Sequence, residues 1–415
     1  MPREGGVPTT QASFLFMTIP QIVAFLLMLG LLQWQAMAAQ LRVRATIDQI
    51  APVMEQSAFT SPSADTRATL LAFAEETHIG GWKHHDHWGN NSLSVCRWYG
   101  VCCGAISSCY YQNDRVPNWQ TGNFSGSCCK DSGELFGLIM PGNNLVGSIP
   151  EVLGNLSSLR VLELSGNRLE GSIPPTLGHL KELLLLQLSA NRLSGTIPPE
   201  LGGLSALQSL LLVANKLEGS LPASVGQWRE LYQIQIQVNM LSGTIPDSIY
   251  QLTHLVYFTA GYNQLSGSLS PAVGNLQNLT ELDLSQNRLD GTIPQTIGEL
   301  KQLTALSLLR NSFSGSLPSS LGTLRRLTGL YLQGNNLAGT ILPVFGGMED
   351  LLALELYSNK LSGTIPPELC TSTSLKYLFL YENALSGTLP ACLGEMTTLI
   401  SLGLHQTQIG GKIPE

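Results

Sequence analysis

The sequence predicts an α/β repeat protein, an elongated solenoid in which short strands stack into one parallel sheet. Asparagine recurs at every 24th position from Asn143 to Asn383 without an insertion, and Thr407 stands at the twelfth such position. Glycine stands four residues after all twelve positions, and apolar residues, mostly leucine, stand eight, five and three residues before them. A fixed period of this kind predicts one continuous array, although 415 residues would otherwise suggest two or three domains.

Each repeated position has a physical role within the unit. In L-x-x-L-x-L, for example Leu159, Leu162 and Leu164, the last two leucines point to the same side of a short strand. One unit cannot bury that side alone, so the strands of successive units are expected to pair in parallel. The asparagine amide behind each strand finds backbone partners in neighbouring turns, which predicts a structural and not a catalytic role. Glycine permits the tight bend that follows, and the proline after it prevents the strand from continuing.

The pattern L-x-x-L-x-L-x-x-N-x-L-x-G-x-I-P-x-x-L-G resembles the plant-type extracellular leucine-rich repeat of receptor-like kinase and receptor-like protein ectodomains. The resemblance covers residues 135–415 and divides them into twelve 24-residue leucine-rich repeats, the last incomplete. It implies a leucine-rich-repeat solenoid with a concave parallel β-sheet. It also implies a second short strand in the G-x-I-P half of each unit and a convex side of 3₁₀ turns and irregular segments.

The N-terminal segment, residues 1–38, is predicted to be a signal peptide or a signal anchor. Residues 14–32 form an apolar run, and Ala36 and Ala38 are suitably placed for signal peptidase. The run is also nearly long enough to span a bilayer, so membrane association through residues 14–32 stays an alternative to cleavage. Either alternative places the repeats in the secretory pathway, outside the cell or at its surface. Four glycosylation sequons agree with that compartment: Asn90, Asn123, Asn155 and Asn278.

Residues 39–64 are predicted to form a linker, and residues 65–134 an N-terminal cap with a cysteine-rich insert. The stretch "DTRATLLAFAEE" predicts a short amphipathic helix with Asp65 as its N-cap. This helix, Trp82 and "CRWYGVCC" resemble the cap that precedes plant-type repeats. The resemblance implies a Cys96–Cys103 disulfide and a cap that covers the open hydrophobic end of the first repeat.

The eight cysteines, an even number, agree with an oxidising compartment. Cys102 stands beside Cys103 and could compete for the pairing with Cys96. Cys370 and Cys392 lie in adjacent turns at nearly matching registers, and a similar pair recurs in plant receptor-like proteins, which implies a second disulfide. The sequence leaves open the pairing of four further cysteines: Cys102, Cys109, Cys128 and Cys129.

The chain carries no enzyme motif: it has no phosphate-binding G-x-x-x-x-G-K, no G-x-S-x-G elbow and no kinase signature. We therefore expect no catalytic activity and no cofactor. The stretch Lys83–Trp88, "KHHDHW", offers ligands for a metal, but its place in a cap loop favours a solvated segment. The net charge of −7 argues against a nucleic-acid partner.

Strand positions that do not point into the core are predicted to face solvent on the concave side. Aromatic residues gather there, and five of them lie in neighbouring repeats between residues 331 and 381. Aromatic side chains supply contact area at low entropic cost and concentrate at binding sites. The preference of tyrosine for strands explains some of the number but not the clustering. The predicted ligand-binding residues are Tyr232, Tyr257, Tyr331, Glu355, Tyr357, Tyr377, Phe379 and Tyr381.

These features predict a non-catalytic extracellular recognition protein that binds a peptide or protein ligand on its concave sheet. The expected context is the ectodomain of a leucine-rich-repeat receptor, which acts with a co-receptor. The alternative is a secreted enzyme inhibitor or cell-wall protein similar to polygalacturonase-inhibiting proteins, and an enzyme that uses the histidine-rich cap loop is a third hypothesis. The sequence stops at "GGKIPE", within the twelfth unit, so we also expect a truncated product or an unusual partner at this end.

Overall fold

The computed structural model describes residues 64–90, 92, 95–103 and 135–412. The predicted signal segment, nearly all of the linker and most of the cysteine-rich insert lie outside the described residues. The same is true of Asn123, Cys109, Cys128 and Cys129. The expectations for these residues stay predictions.

The main sheet has 13 strands, one from each of the twelve L-x-x-L-x-L segments and one from the cap. Twelve strands pair in parallel in chain order, and the cap supplies the thirteenth, which is antiparallel to the first of them. Residues 24 positions apart, such as Gln233 and Tyr257, face each other across adjacent strands, so each repeat position forms a column on the sheet. The strands are β1 (Val101–Cys103), β2 (Leu135–Ile139), β4 (Val161–Glu163), β6 (Leu185–Gln187), β8 (Ser209–Leu211), β10 (Gln233–Gln235), β12 (Tyr257–Thr259), β14 (Glu281–Asp283), β16 (Ala305–Ser307), β18 (Gly329–Tyr331), β20 (Ala353–Glu355), β22 (Tyr377–Phe379) and β24 (Ser401–Gly403).

The G-x-I-P half of each unit forms a second row of strands, as the resemblance implies. This row consists of a seven-stranded and a five-stranded sheet, and a single bridge between Thr292 and Ser314 lies where they meet. The recurring glycine is required here: Gly219 has φ +75°, and a Cβ on it would lie 2.7 Å from the Thr196 methyl carbon. The strands are β3 (Val146–Ser148), β5 (Arg168–Gly171), β7 (Arg192–Gly195), β9 (Lys216–Ser220), β11 (Met240–Gly243), β13 (Gln264–Ser268), β15 (Arg288–Asp290), β17 (Ser314–Ser316), β19 (Asn336–Gly339), β21 (Lys360–Gly363), β23 (Ala384–Thr388) and β25 (Gln408–Gly410).

The convex side consists of one 3₁₀ turn in each of the first eleven units, and each turn begins after the proline position. These turns comprise Glu151–Asn155, Pro175–His179, Pro199–Gly203, Ala223–Gln227, Asp247–Gln251, Pro271–Asn275, Gln295–Glu299, Ser319–Thr323, Pro343–Gly347, Pro367–Thr371 and Ala391–Glu395. Between the sheet and these turns lies one hydrophobic core. Its leucine columns are fully buried, as Leu207, Leu210 and Leu212 illustrate. The predicted solenoid with a concave parallel sheet and a convex 3₁₀ side is confirmed.

The repeated asparagines form a hydrogen-bonded ladder, which we call the asparagine ladder (Asn143 to Asn383 at intervals of 24 residues). Asn263 shows the pattern: its Nδ2 donates to the carbonyl of Ala260 at 3.1 Å and to that of Ile236, in the preceding unit, at 3.0 Å. Its Oδ1 accepts the backbone N–H of Leu241 at 2.9 Å. Each side chain therefore joins two units, and the predicted structural role is confirmed. Thr407, at the twelfth position, donates only to Leu404, within its own unit.

The N-terminal cap begins with helix α1 (Ala64–Glu76), followed by two short 3₁₀ turns at Ile79–Gly81 and Val95–Arg97. The helix buries Leu70 and Phe73 against Trp82 and the first repeat. The N-cap prediction for Asp65 is wrong, because the helix already includes Ala64 and Asp65 lies in its first turn. Disulfides join Cys96 to Cys103 and Cys370 to Cys392, with Cα separations of 5.5 Å and 5.7 Å.

The histidine-rich stretch is attached to the first rung of the asparagine ladder. Asn143 accepts the backbone N–H of His84 at 2.7 Å and donates to its carbonyl at 2.9 Å, and the His84 ring stacks on Tyr99. The His84 backbone therefore takes the place of a preceding unit. The side chains of residues 85–87 are exposed. Within the described residues, no three metal-ligating side chains lie close enough together to hold a metal.

Candidate functional site

Two columns of the concave sheet carry the candidate site. The column four residues before the ladder position contains Tyr331, Glu355 and Phe379, which are cross-strand neighbours in β18, β20 and β22. The column two residues before the ladder position contains Gln333, Tyr357, Tyr381 and His405. We call the aromatic members of both columns, with Tyr377, the aromatic cluster: Tyr331, Tyr357, Tyr377, Phe379, Tyr381 and His405.

The centre of the aromatic cluster is a stack of three rings from successive units. Tyr357 and Tyr381 stack with ring centroids 4.2 Å apart at 14°, and Tyr381 and His405 stack at 4.1 Å and 16°. The small angles mean that the rings lie almost parallel. Their centroids are closer together than neighbouring strands of a sheet, which places the rings in face-to-face contact. The predicted binding residues did not include His405. Its position, two residues before Thr407, is the same column as that of Tyr357 and Tyr381 and would have identified it as a concave residue.

Two glycines on the concave face determine how the other rings of the cluster lie. A Cβ on Gly403 would lie 3.0 Å from ring atoms of both Phe379 and Tyr381, so these rings occupy the space that a side chain would need. A Cβ on Gly329 would lie 2.7 Å from the Tyr331 ring, which folds back over its own strand. Tyr377 lies at the edge of the cluster and is 40% exposed. The cluster is therefore packed on one side and open to solvent on the other.

Tyr232 and Tyr257, which the sequence analysis assigned to the same surface, form a separate pair. Their rings meet edge to face with centroids 5.5 Å apart. Strands β14 and β16, which carry Asp283 and Ser307, lie between Tyr257 and Tyr331. The eight predicted binding residues thus fall into two groups, because the strand segments of the two units between them, residues 280–286 and 304–310, contain no aromatic residue.

Beside this pair, several concave residues are buried, contrary to the prediction that these positions face solvent. Gln233 and Gln235 are 0% and 2% exposed. Gln233 donates to the Ser209 hydroxyl at 3.0 Å, and Gln235 donates to the Gln233 carbonyl oxygen at 3.3 Å. Since strands of a sheet lie only about 4.8 Å apart, long side chains in neighbouring columns cover one another. The prediction is therefore wrong for these positions, which stabilise the sheet and present little surface to a ligand.

Glu355 is the acidic group of the candidate site. Its Oε2 accepts the side-chain N–H of Gln333 at 2.9 Å. Burial raises the pKa of the Glu355 carboxyl to about 7, because the charged form loses hydration between its neighbours. Burial, together with the negative charge of Glu355, also raises the pKa of the Tyr331 hydroxyl to about 12. The site thus combines a weakly hydrated carboxyl with a set of partly exposed rings.

Three of the four predicted glycosylation sites lie within the described residues, and all three are exposed: Asn90, Asn155 and Asn278. The Asn90 side chain accepts the backbone N–H of Ser92 at 2.9 Å, and Asn278 donates to the Thr253 carbonyl at 2.8 Å. None of them is covered by a neighbouring unit. Glycosylation at these sites stays a prediction.

The repeated strand and 3₁₀ turn around one leucine core define a leucine-rich-repeat protein. Leucine-rich-repeat family models match residues 158–180, 182–204 and 277–337. With the repeat pattern and the fold, these matches show that the chain is built of leucine-rich repeats of the plant type. A search of curated proteins found no match.

Solved structures of plant receptor ectodomains are similar to the chain. The Arabidopsis thaliana receptor kinase GASSHO1/SCHENGEN3, in complex with CASPARIAN STRIP INTEGRITY FACTOR 2, shares 33% identity over 84% of this chain, with a TM-score of 0.71. The Arabidopsis receptor kinase HAESA, in complex with the peptide hormone IDA and the co-receptor SERK1, shares 30% over 83%, with a TM-score of 0.64. The plant peptide hormone receptor RGFR1, in complex with RGF2, shares 36% over 66%, with a TM-score of 0.62.

The chain spans only part of these structures, covering 42% of the GASSHO1/SCHENGEN3, 58% of the HAESA and 47% of the RGFR1 chains. Among the residues that the structure describes, no helix has the length and apolar character needed to cross a bilayer.

Proposed function

We propose that this chain is a non-catalytic extracellular recognition protein that binds a peptide along its concave sheet, as the ligand-binding part of a receptor. The observation that carries the proposal is the stack of Tyr357, Tyr381 and His405, flanked by Phe379 and the exposed Tyr377. Aromatic rings that are already packed lose little entropy when they bind, so a preformed stack of this kind lowers the cost of association.

The comparisons support a peptide ligand. The three receptors named above were each solved in a complex: RGFR1 is a peptide hormone receptor, and the HAESA complex contains a peptide hormone and a co-receptor. We therefore propose a peptide ligand and a co-receptor for this chain as well. A long concave surface of parallel strands suits an extended peptide, since it offers one similar column of side chains per unit.

The test is the affinity of the chain for peptides selected from a random displayed library. We expect the substitutions Tyr357→Ala and Phe379→Ala each to weaken binding of a selected peptide by about 1–2 kcal/mol, as truncations of binding hot spots do. The fold should survive, because both side chains lie outside the leucine core. Calorimetry or surface plasmon resonance measures the affinity, and circular dichroism checks the fold.

Val344→Ala is the matched control, because Val344 is an exposed apolar residue (43%) on the convex side. Its replacement should leave the affinity unchanged. If Tyr357→Ala and Phe379→Ala both bind the selected peptide as tightly as the native chain does, the site assignment is wrong.

The secretory location has its own test. When the chain is expressed in a eukaryotic cell, we expect glycosidase treatment to increase its gel mobility, because Asn155 and Asn278 are exposed sequon residues. Asn155→Gln and Asn278→Gln should each remove part of that shift. A chain whose mobility does not change on glycosidase treatment would contradict this topology.

A further inference from the structure

We propose that Glu355 and Gln333 form a subsite that holds one arginine side chain of the bound peptide, an inference that rests on the proposed peptide-binding function. The two residues lie on the concave sheet in adjacent units, at the edge of the aromatic stack. Their side chains bond to each other, from Gln333 Nε2 to Glu355 Oε2, at 2.9 Å.

The first observation is how Glu355 differs from three other polar residues in its column. In Glu163, Gln187 and Asp283 a side-chain oxygen accepts the backbone N–H of the serine two residues later, at 2.8 Å, 3.0 Å and 2.9 Å. This bond gives those three side chains a local structural role. Glu355 is followed two residues later by Tyr357, and within the described residues its carboxyl bonds instead to Gln333. Its carboxyl is therefore not used to support its own turn.

The second observation is an acceptor oxygen in Gln333. The residue is only 5% exposed, and its Oε1 makes no hydrogen bond of good geometry in the described part of the chain, although the Tyr357 hydroxyl interacts with the same side chain. Buried side-chain acceptors are nearly always paired, so this oxygen, which lies beside a carboxyl, is a place where an N–H of a ligand can bind. Gln333 Oε1 and the Glu355 carboxyl therefore both present hydrogen-bond acceptors at this place on the concave sheet.

The third observation is the charge around Glu355. Burial raises its pKa to about 7. The neighbouring Arg310 lies instead against Gly334 and acts electrostatically on Tyr357 and Tyr262. Among the described residues, no salt bridge includes Glu355. A cation from a ligand would therefore be the first one to pair with this carboxyl.

The rings around Glu355 favour arginine as that cation. Tyr331 and Phe379 are its cross-strand neighbours, and Tyr357 follows on the same face of its own strand. A guanidinium group is planar: its edge donates to both oxygens of a carboxylate, and its faces stack on aromatic rings. A remaining N–H can reach a second acceptor such as Gln333 Oε1. A lysine ammonium pairs with the carboxyl but offers no flat face to the rings.

The test again uses a random displayed peptide library, selected separately on the native chain and on Glu355→Gln. We expect arginine to be enriched at one position of the peptides selected by the native chain, and this enrichment to disappear with Glu355→Gln. For one arginine-containing selected peptide, Glu355→Gln should weaken binding on the order of 10- to 100-fold, as loss of a charged hydrogen-bond partner does. The same peptide with glutamine in place of arginine should bind both forms equally.

Glu163→Gln is the matched control, because Glu163 lies in the same column and its pKa is also raised to about 7 by burial. This substitution should leave peptide affinity unchanged. If Glu355→Gln binds the arginine peptide as tightly as the native chain while Tyr357→Ala weakens it, the arginine subsite is refuted and the peptide-binding function stands. If the library yields no binder to the native chain, the proposed function fails, and the subsite fails with it.

Discussion

Replacing Asn263 by alanine is expected to lower the free energy of unfolding by about 3–5 kcal/mol, since several buried backbone groups lose their partners at once. The amide joins the carbonyls of Ile236 and Ala260 to the N–H of Leu241, and Asn263 itself is 9% exposed. Water cannot replace these bonds in a closed core. Since each unit of a solenoid is stabilised mainly by its neighbours, a loss in the middle also weakens the coupling between the two halves.

Urea denaturation monitored by circular dichroism measures this effect, and hydrogen exchange at the Leu241 amide reports it locally. Thr407→Ala is the control at the equivalent position of the twelfth unit, where the side chain makes a single bond to Leu404. It should cost less than about 1.5 kcal/mol. A loss of less than about 1 kcal/mol for Asn263→Ala would show that the ladder does not hold the units together.

Replacing Glu163 by glutamine is expected to stabilise the protein at pH 8 by about 3 kcal/mol and to change its stability little at pH 4. Burial raises the pKa of the Glu163 carboxyl from 4.5 to about 7. Between those two values the folded state keeps a proton that the unfolded chain releases, so native stability falls as the pH rises through this window. Glutamine does not titrate, and its Oε1 can still accept the N–H of Ser165 that Glu163 binds at 2.8 Å.

Thermal or urea unfolding of both forms at several pH values checks this prediction. Glu182→Gln is the control, since the Glu182 side chain is 55% exposed and pairs with Arg160 at 3.1 Å. A surface ion pair of this kind contributes at most about 1 kcal/mol, so its loss should be small. A stability difference between the Glu163→Gln and native forms that stays constant from about pH 4 to about pH 8 would contradict the prediction.

The period of 24 residues was enough to predict the repeating part of the architecture. It places a strand at each L-x-x-L-x-L segment, brings residues such as Gln233 and Tyr257 into register, and gives Asn263 partners in the preceding unit. These features follow from sequence because every unit repeats one local pattern and contacts mainly its two neighbours. The strong periodicity leaves few other ways to bury the leucines.

The candidate site was predicted only in part. Column position identified Tyr357, Phe379 and Tyr381 as concave residues, but it did not indicate which concave residues are covered. Gln233 and Gln235 occupy equivalent columns and are buried. The stack also continues to His405, and it excludes Tyr232 and Tyr257, which form their own pair.

The sequence by itself determined the solenoid, its register and the columns that reach the concave face, because backbone periodicity decides these features. Only the tertiary structure decided which side chains in those columns meet. The Tyr331 ring lies over its own strand because Gly329 leaves the space for it. Gln333, just after strand β18, donates to Glu355 in the adjacent strand β20. Side-chain rotamers on a shared surface depend on the size and polarity of neighbours a whole unit away, and a repeat pattern carries no information about them.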